Sequence, residues 1–298
     1  MSNSSGVLNI IKPPGMTSFS VIRIIKKIFD QKKVGHTGTL DPAAAGVLGV
    51  CLGKATKIIP YLDDSRKTYI CEMELGFQTD SLDLEGNIIK EDLNWSNLTV
   101  DKIEKLFCSL KGKHKQIPPM FSAVHHNGQR LYHLARRGIN VKRKEREIEI
   151  YNIKLINISL PVIRFKVEVS RGCYIRSLVR DIGTALKTTA TMTFLLRTQS
   201  GKFHISNSHI ISDLNKKDKV LESIYSPLDF PKAVIKQTAH NKAVNGNYLV
   251  RNNFEKIPES LKIDDNLLVF SDTDDFISIS KKIYKDDLLV YQPEKVFI

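Results

Sequence analysis

The segment from Ile163 to Gly183, IRFKVEVSRGCYIRSLVRDIG, constrains the fold most, because its hydrophobic pattern changes period after one short turn. Phe165, Val167 and Val169 alternate with charged residues, which predicts a strand with one buried face. After the turn, apolar residues follow helical spacing at Ile175, Leu178, Val179 and Ile182. A strand followed by an amphipathic helix favours a sheet with helices packed on it, which is an α+β fold.

Arg176 lies in the first turn of this predicted helix. The helix dipole disfavours a cation at that end by about 0.3–1 kcal/mol. A carboxylate or phosphate partner would offset this cost, so the position suggests an ion pair. The alternative is an ordinary exposed arginine, which is the commoner case for a single residue.

The segment GHTGTLDPAAAGVL, residues 35–48, places one carboxylate, that of Asp41, among small residues. Asp followed by Pro is typical of a helix N-cap with Pro at the first helical position. Small neighbours also let a large ligand approach the carboxylate, as a catalytic loop requires. The dipeptide alone favours the helix cap.

Further stretches show clear periodicity. A strand, a Pro-Pro-Gly turn and a helix are predicted from Gly6 to Phe29, with Thr17 or Ser18 as the helix cap. The apolar stripe of that helix is Val21, Ile24, Ile25 and Ile28. The next predicted strand buries Tyr69, Cys71, Met73 and Leu75. A later helix turns inward Ile103, Leu106, Phe107 and Leu110.

Charge is unevenly distributed along the chain. The 298 residues contain 45 Lys and Arg against 32 Asp and Glu, a net charge of +13. Residues 229–298 contain 10 basic and 11 acidic residues, so the first 228 residues carry a net charge of +14. A lysine-rich compositional bias would affect the whole chain, including its C-terminal end. The excess of positive charge in the first 228 residues therefore favours a polyanionic partner, most commonly nucleic acid. The last 70 residues hold short apolar alternations such as NLLVF and FISIS, which predict a small β-barrel.

A dense basic region runs from Lys111 to Glu147, with Phe121, Tyr132 and several histidines interleaved. Such a run is usually a solvated loop, but prolines, aromatics and paired arginines favour an arm that contacts a phosphate backbone. The basic residues predicted to contact RNA are Arg130, Arg136, Arg137, Lys142 and Arg143.

Missing motifs exclude several function classes. The sequence contains no GxxxxGK[ST], GxSxG or HExxH motif and no Gly-rich dinucleotide fingerprint. The four cysteines stand singly without histidines at ligand spacing, so neither a disulfide framework nor a metal site is predicted. A polar start and the lack of an apolar run of about 18 residues predict a cytoplasmic protein without signal peptide or membrane span.

Five motifs from Val7 to Phe203 resemble, in order, those of the bacterial tRNA pseudouridine synthase B (TruB) family. They are LNIIKPPGMTS, GHTGTLDPAAAGVL, KTYICEMELG, PPMFSAVHHNGQRLYHLARRG and RGCYIRSLVRDIG. The resemblance implies conversion of the uridine at position 55, in the T loop of tRNA, into pseudouridine. It also implies a pseudouridine synthase fold, a mixed and largely antiparallel sheet flanked by helices, in residues 1–228. An RNA-binding arm at about 118–146 and a PUA-like β-barrel at 229–298 complete the expected organisation.

The resemblance also implies roles for individual residues. Asp41 matches the catalytic aspartate, Tyr69 the tyrosine that stacks on the target base, and Arg176 the arginine that pairs with the aspartate. Substrate contacts are further implied for His36, Lys12, Tyr174 and Leu196. In this family the histidine is associated with nucleotide flipping and the leucine lines the pocket. An arginine partner is expected to lower the pKa of Asp41. Since the isomerisation exchanges no electrons or external groups, no cofactor or metal is expected.

The expected partner is the T-stem loop of tRNA, with no membrane and no obligate protein partner, which fits a monomer. A guide-RNA-dependent pseudouridine synthase is the nearest alternative, and the long basic arm disfavours it. Another alternative is a non-catalytic tRNA-binding or tRNA-folding protein on the same scaffold. The presence of Asp41, Tyr69 and Arg176 together argues against it. The neutral C-terminal part makes its own contact with RNA doubtful.

Overall fold

The computed structural model describes residues 4–62, 66–214 and 220–298, and these form an α+β fold, as predicted. The described strands, in chain order, are β1 (Gly6–Lys12), β2 (Val34–His36), β3 (Ala45–Leu52), β4 (Lys67–Leu75), β5 (Phe77–Thr79), β6 (Ile88–Glu91), β7 (Gly112–Gln116), β8 (His125–His126), β9 (Gln129–Arg130), β10 (Arg146–Ser159), β11 (Val162–Val169), β12 (Ala190–Ser200), β13 (Phe203–His204), β14 (His209–Ile210), β15 (Lys232–Ile235), β16 (Phe254–Lys256), β17 (Asn266–Phe270), β18 (Phe276–Lys285) and β19 (Leu288–Val296).

The helices are α1 (Ser18–Ile28), α2 (Ile59–Leu62), α3 (Val100–Ser109), α4 (Leu131–Arg136), α5 (Ile175–Ala185) and α6 (His240–Val244). Short 3-10 helices span Gly53–Ile58, Leu93–Asn97, Ile205–Asn207, Ile211–Asp213, Gln237–Ala239 and Arg251–Asn253. Of the two predicted caps for α1, the Thr17 side chain is the one that accepts from Ser20 N. None of the helices in the described parts of the chain has the length and hydropathy needed to cross a membrane.

One ten-stranded sheet organises the first three-quarters of the chain, in the order β14-β1-β3-β12-β4-β11-β10-β7, with β2 beside β3 and β13 beside β12. Within this sheet β1 pairs parallel with β14, and β3 with β12. Its remaining recorded pairings are antiparallel. This is the mixed, largely antiparallel sheet predicted from the sequence.

The strand and helix predicted from Ile163 to Gly183 are β11 and α5, and both bury the apolar faces expected. Ile175, Leu178, Val179 and Ile182 pack with Phe165 and the inner face of β4 in one hydrophobic cluster. This packing fixes the start of α5, and therefore Arg176, against the sheet.

The C-terminal region forms a second sheet, in the order β16-β15-β17-β18-β19. Its edge strands β16 and β19 are not paired with each other among the described residues, so the sheet is not a closed barrel. It packs on the large sheet through a shared apolar cluster that includes Val47, Phe203, Phe270 and Phe297.

The segment after Asp41 does not form the helix that the Asp-Pro dipeptide favoured. Residues 41–44 have no regular structure, and β3 begins at Ala45. Gly46 has a positive φ of 112°, and a Cβ there would collide with the backbone of Arg197 in the neighbouring strand. Gly46 is thus needed for sheet packing, whereas the sequence-based interpretation assigned the small residues to ligand access.

Candidate active site

Asp41 lies on a wall shared by two open cavities. One, of about 640 Å³, is also lined by Tyr69 and Tyr174, and we call it the Tyr69 cavity. The other, of about 760 Å³, is also lined by Phe19 and His36, and we call it the Phe19 cavity. Thr39, Leu40, Ser122 and Ala123 border both, so the two are parts of one cleft.

The buried Arg176 joins the partly exposed Asp41 in an ion-pair network. Its Nε lies 2.9 Å from Asp41 Oδ2, and its Nη1 lies 3.4 Å from Asp83 Oδ2. Nη1 and Nη2 also donate to the carbonyl oxygens of Ser81 and Phe121, each at 2.9 Å. The cation in the first turn of α5 therefore has carboxylate partners, as its unfavourable position at the helix dipole suggested.

Loss of hydration raises the pKa of the Asp41 carboxyl above its ordinary value of 3.8. The Arg176 guanidinium lowers this pKa, and the neighbouring Asp83 raises it. Arg176 thus lowers the pKa of Asp41 as expected, but burial and the second carboxylate outweigh it, so the net shift is upward. Proton loss from Asp41 consequently requires a higher pH than for an exposed aspartate.

The loop that carries Asp41 is attached to the start of α1. Ser18 Oγ donates to Leu40 O at 3.0 Å and accepts from Leu40 N at 2.9 Å. Behind the loop, the buried Lys12 Nζ donates to the carbonyl oxygens of Pro13, Met16 and Pro42 at 2.8, 2.7 and 3.0 Å. Burial lowers the pKa of Lys12 to about 8, although Asp41 opposes this shift. Lys12 thus supports the loop from behind and does not border either cavity.

Tyr69 lies in β4 within the Tyr69 cavity, where only 7% of it is exposed. Burial raises the pKa of its phenol, so the ring is neutral at ordinary pH. Beside it, the buried Arg197 donates to Val47 O at 2.8 Å and to Gly38 O at 3.0 Å. The aromatic ring and the backbone before Asp41 are thereby placed around one cavity.

Comparison with known proteins identifies the family. Residues 26–175 match the model of the TruB family pseudouridylate synthase N-terminal domain, and residues 176–231 match that of the tRNA pseudouridylate synthase B C-terminal domain. The tRNA pseudouridine synthase B of Clostridium tetani is 42% identical over 283 residues, which cover 93% of this chain and 96% of that protein. The chain belongs to the TruB family. The synthase of the same name from Alkaliphilus oremlandii is 43% identical over 83% of this chain and 84% of its own length.

Solved structures agree with this family fold. A chain of a Cbf5-Nop10-Gar1 complex superposes with a TM-score of 0.75 and 30% identity, covering 98% of this chain and 85% of that one. A chain of an H/ACA RNP bound to a substrate RNA containing 2′-deoxyuridine gives a TM-score of 0.74 and 27% identity at the same coverage. The pseudouridine synthase fold inferred from the TruB motifs is confirmed.

Among the TruB-derived site residues, His36 and Tyr174 both border the cleft, on the Phe19 and Tyr69 cavities respectively. Burial and the nearby Arg197 lower the pKa of His36, which favours a neutral imidazole. Burial raises the pKa of Tyr174, whose backbone N–H donates to Gln116 Oε1 at 2.9 Å. These two side chains therefore have neutral forms available for contact with a base.

Leu196 does not border either cavity, and Leu195 lines the Tyr69 cavity in its place. Successive residues of a strand point to opposite faces of the sheet. The side chain of Leu196 therefore lies on the opposite face of β12 from that of Leu195.

The basic arm (residues 118–146) forms the small hairpin β8–β9 and helix α4 around its own apolar cluster. Arg130 and Arg136 line the Phe19 cavity, near Asp41. Arg137 and Lys142 are exposed and line neither cavity of the cleft. Arg143 turns back into the arm, where its Nη1 donates to Pro118 O at 3.1 Å.

Several cleft residues were not singled out from the sequence. Asp83, the second carboxylate of the Arg176 network, stands in a loop-like stretch, and Arg197 stands in a strand. The Tyr69 cavity is further lined by Lys67, Arg146 and Arg171. The one available signal was Arg197 in the apolar stretch FLLRTQSG, residues 194–201, since charged residues are rarely buried without a partner.

Proposed function

We propose that this chain converts the uridine at position 55, in the T loop of tRNA, into pseudouridine, with Asp41 as its catalytic carboxylate. The ion pair between Asp41 and the buried Arg176, on the wall of an open cleft beside Tyr69, carries the proposal. Membership of the TruB family and relatives named tRNA pseudouridine synthase B support the substrate class.

The reaction breaks the bond between uracil N1 and the ribose C1′ and forms one between C5 and C1′. C5 loses a proton and N1 gains one, so atoms and electrons balance without an external reactant. A base inside folded RNA reaches the cleft only when it is extruded, at a cost of a few kcal/mol. Stacking on the Tyr69 ring offsets part of that cost, and the Asp41 carboxylate faces the bound nucleoside in its ionised form.

Direct tRNA recognition is preferred over the guide-RNA alternative. Arg130 and Arg136 of the basic arm lie at the Phe19 cavity, where they are available to phosphates of a bound RNA. The relatives named tRNA pseudouridine synthase B are also more similar to this chain than the H/ACA proteins are. We further propose that residues 1–228 supply catalysis and that residues 229–298 form the accessory sheet.

The proposed function is tested by tritium release from a tRNA transcript labelled at C5 of uridine, without guide RNA. We expect one equivalent released per transcript from the wild-type chain. A transcript with cytidine at position 55 should release none. Release from that control transcript, or no release from the normal one, would contradict the proposal.

Activity should fall on the acid side of its pH profile at a higher pH than ionisation of an ordinary aspartate would give. The pKa of Asp41 is raised from 3.8 by burial, so the ionised form present at neutral pH is lost as pH falls through this higher value. The measurement is the pH profile of kcat/KM, with circular dichroism as the control for unfolding. An acid limb with its midpoint at or below 3.8 would contradict this assignment.

Neutralising Arg130 and Arg136 to glutamine should weaken tRNA binding and flatten its salt dependence. Loss of two phosphate contacts lowers the slope of log K against log salt by about 1.5. The matched control neutralises Lys236 and Lys256, which are exposed on the C-terminal sheet. Equal slopes for both pairs would show that the arm does not contact phosphates.

A further inference from the structure

The exposed face of α1 begins at the mouth of the cleft. Phe19 lines the Phe19 cavity and is 59% exposed, an unusual position for a large aromatic side chain. Arg23 lies with its Cζ 4.8 Å from the centre of that ring, and Lys27 follows one turn later. Positions i, i+4 and i+8 share one side of a helix, so the three side chains form a strip that we call the α1 strip.

The α1 strip has the chemistry of a surface for single-stranded nucleic acid. Its two cations are four residues apart, a like-charge spacing that costs a few tenths of a kcal/mol in a helix. Neither Arg23 nor Lys27 forms a recorded ion pair within residues 4–62, 66–214 and 220–298, and the first turn of α1 contains no acid. An exposed ring beside unpaired cations is the combination that stacks a base and holds its phosphate.

The α1 strip is also held rigidly relative to Asp41. Ser18, which precedes Phe19, exchanges two hydrogen bonds with Leu40, which precedes Asp41. The Gly15 backbone N–H donates to Pro42 O at 2.9 Å, so the chain is joined on both sides of the carboxylate. A base stacked on Phe19 would therefore stand at a fixed distance from the nucleotide at Asp41.

We propose that the α1 strip binds the RNA strand next to the target uridine, with one base stacked on Phe19 and phosphates paired with Arg23 and Lys27. This inference rests on the proposed function for the identity of the RNA. The α1 strip would be a second RNA-binding surface, separate from the basic arm, because it belongs to the N-terminal helix α1.

The test compares three variants in equilibrium binding of a fluorescein-labelled stem-loop with the sequence of a tRNA T arm. We expect Phe19→Ala to weaken binding about tenfold and Phe19→Leu to weaken it nearly as much, because leucine keeps apolar area but has no ring. Arg23→Gln combined with Lys27→Gln should lower the salt slope by about 1.5. The matched control, Lys102→Gln with Lys105→Gln on exposed positions of α3, should change neither quantity.

Tritium release in a single turnover at saturating RNA separates this inference from the proposed function. We expect wild type and the Lys102→Gln, Lys105→Gln control to release tritium at equal rates, because no residue of α3 lines the cleft. Unchanged affinity and salt slope in the α1 variants would overturn the inference even where wild type is active. If wild type released no tritium, the proposed function would fail, and the binding comparison would still decide the role of the strip.

Discussion

Asp41→Asn is expected to lower the single-turnover rate of pseudouridine formation at least about a thousandfold. Asparagine keeps the size of the side chain and an oxygen for Arg176, but it has no ionised form, so the group that faces the nucleoside is lost. A thousandfold loss corresponds to about 4 kcal/mol of transition-state stabilisation. The measurement is tritium release at saturating tRNA transcript.

Asp80→Asn is the matched control, because Asp80 lines the same Phe19 cavity without a recorded contact to Arg176. Its Oδ1 accepts from Asn87 N at 3.1 Å, a bond that the asparagine oxygen can also accept. We expect Asp80→Asn to stay within about threefold of wild type and both variants to bind tRNA normally. Turnover by Asp41→Asn above a tenth of the wild-type rate would assign the chemistry to another group.

The parts of the fold that the sequence predicts are those decided by local periodicity. The alternation at Phe165, Val167 and Val169 and the helical stripe after Ile175 act within a few residues, and β11 and α5 follow from them. For Arg176, the helix dipole suggested an ion pair but left an ordinary exposed arginine as the commoner case. The partner of Arg176 is the carboxylate of Asp41, which lies in a motif far away in sequence. The pairing of these two residues was implied by the resemblance to the TruB family.

The remaining features depend on contacts distant in sequence. The Asp-Pro dipeptide favours a helix cap locally, yet Lys12 holds Pro42 from 30 residues away and Arg197 holds Gly38 from 159 residues away. These bonds keep the segment as a loop. The face of Leu196 depends on register, because β12 carries irregularities on both sides of it, and one residue of shift moves a side chain across the sheet.

Arg176→Gln should destabilise the fold by about 3–5 kcal/mol and lower activity at least about a hundredfold. The guanidinium is 5% exposed and joins Asp41, Asp83 and two backbone carbonyls, so its removal leaves a buried carboxylate without its cation. Arg176→Lys should also be impaired, because an ammonium cannot span these partners as a planar fork does. The measurements are urea unfolding at pH 7 and the tritium-release rate.

The pH profile distinguishes loss of the ion pair from loss of the fold. Arg176→Gln removes the charge that lowers the pKa of Asp41, so the acid limb of kcat/KM should move to higher pH in Arg176→Gln protein that remains folded. Arg180→Gln is the matched control, because Arg180 lies one turn later on α5 and pairs with its neighbour Asp181 at 2.8 Å near the surface. That partly exposed pair contributes about 1 kcal/mol or less. Equal stability and equal acid limbs in the two glutamine variants would contradict the role of Arg176, since of the two arginines Arg176 is the one that pairs with Asp41.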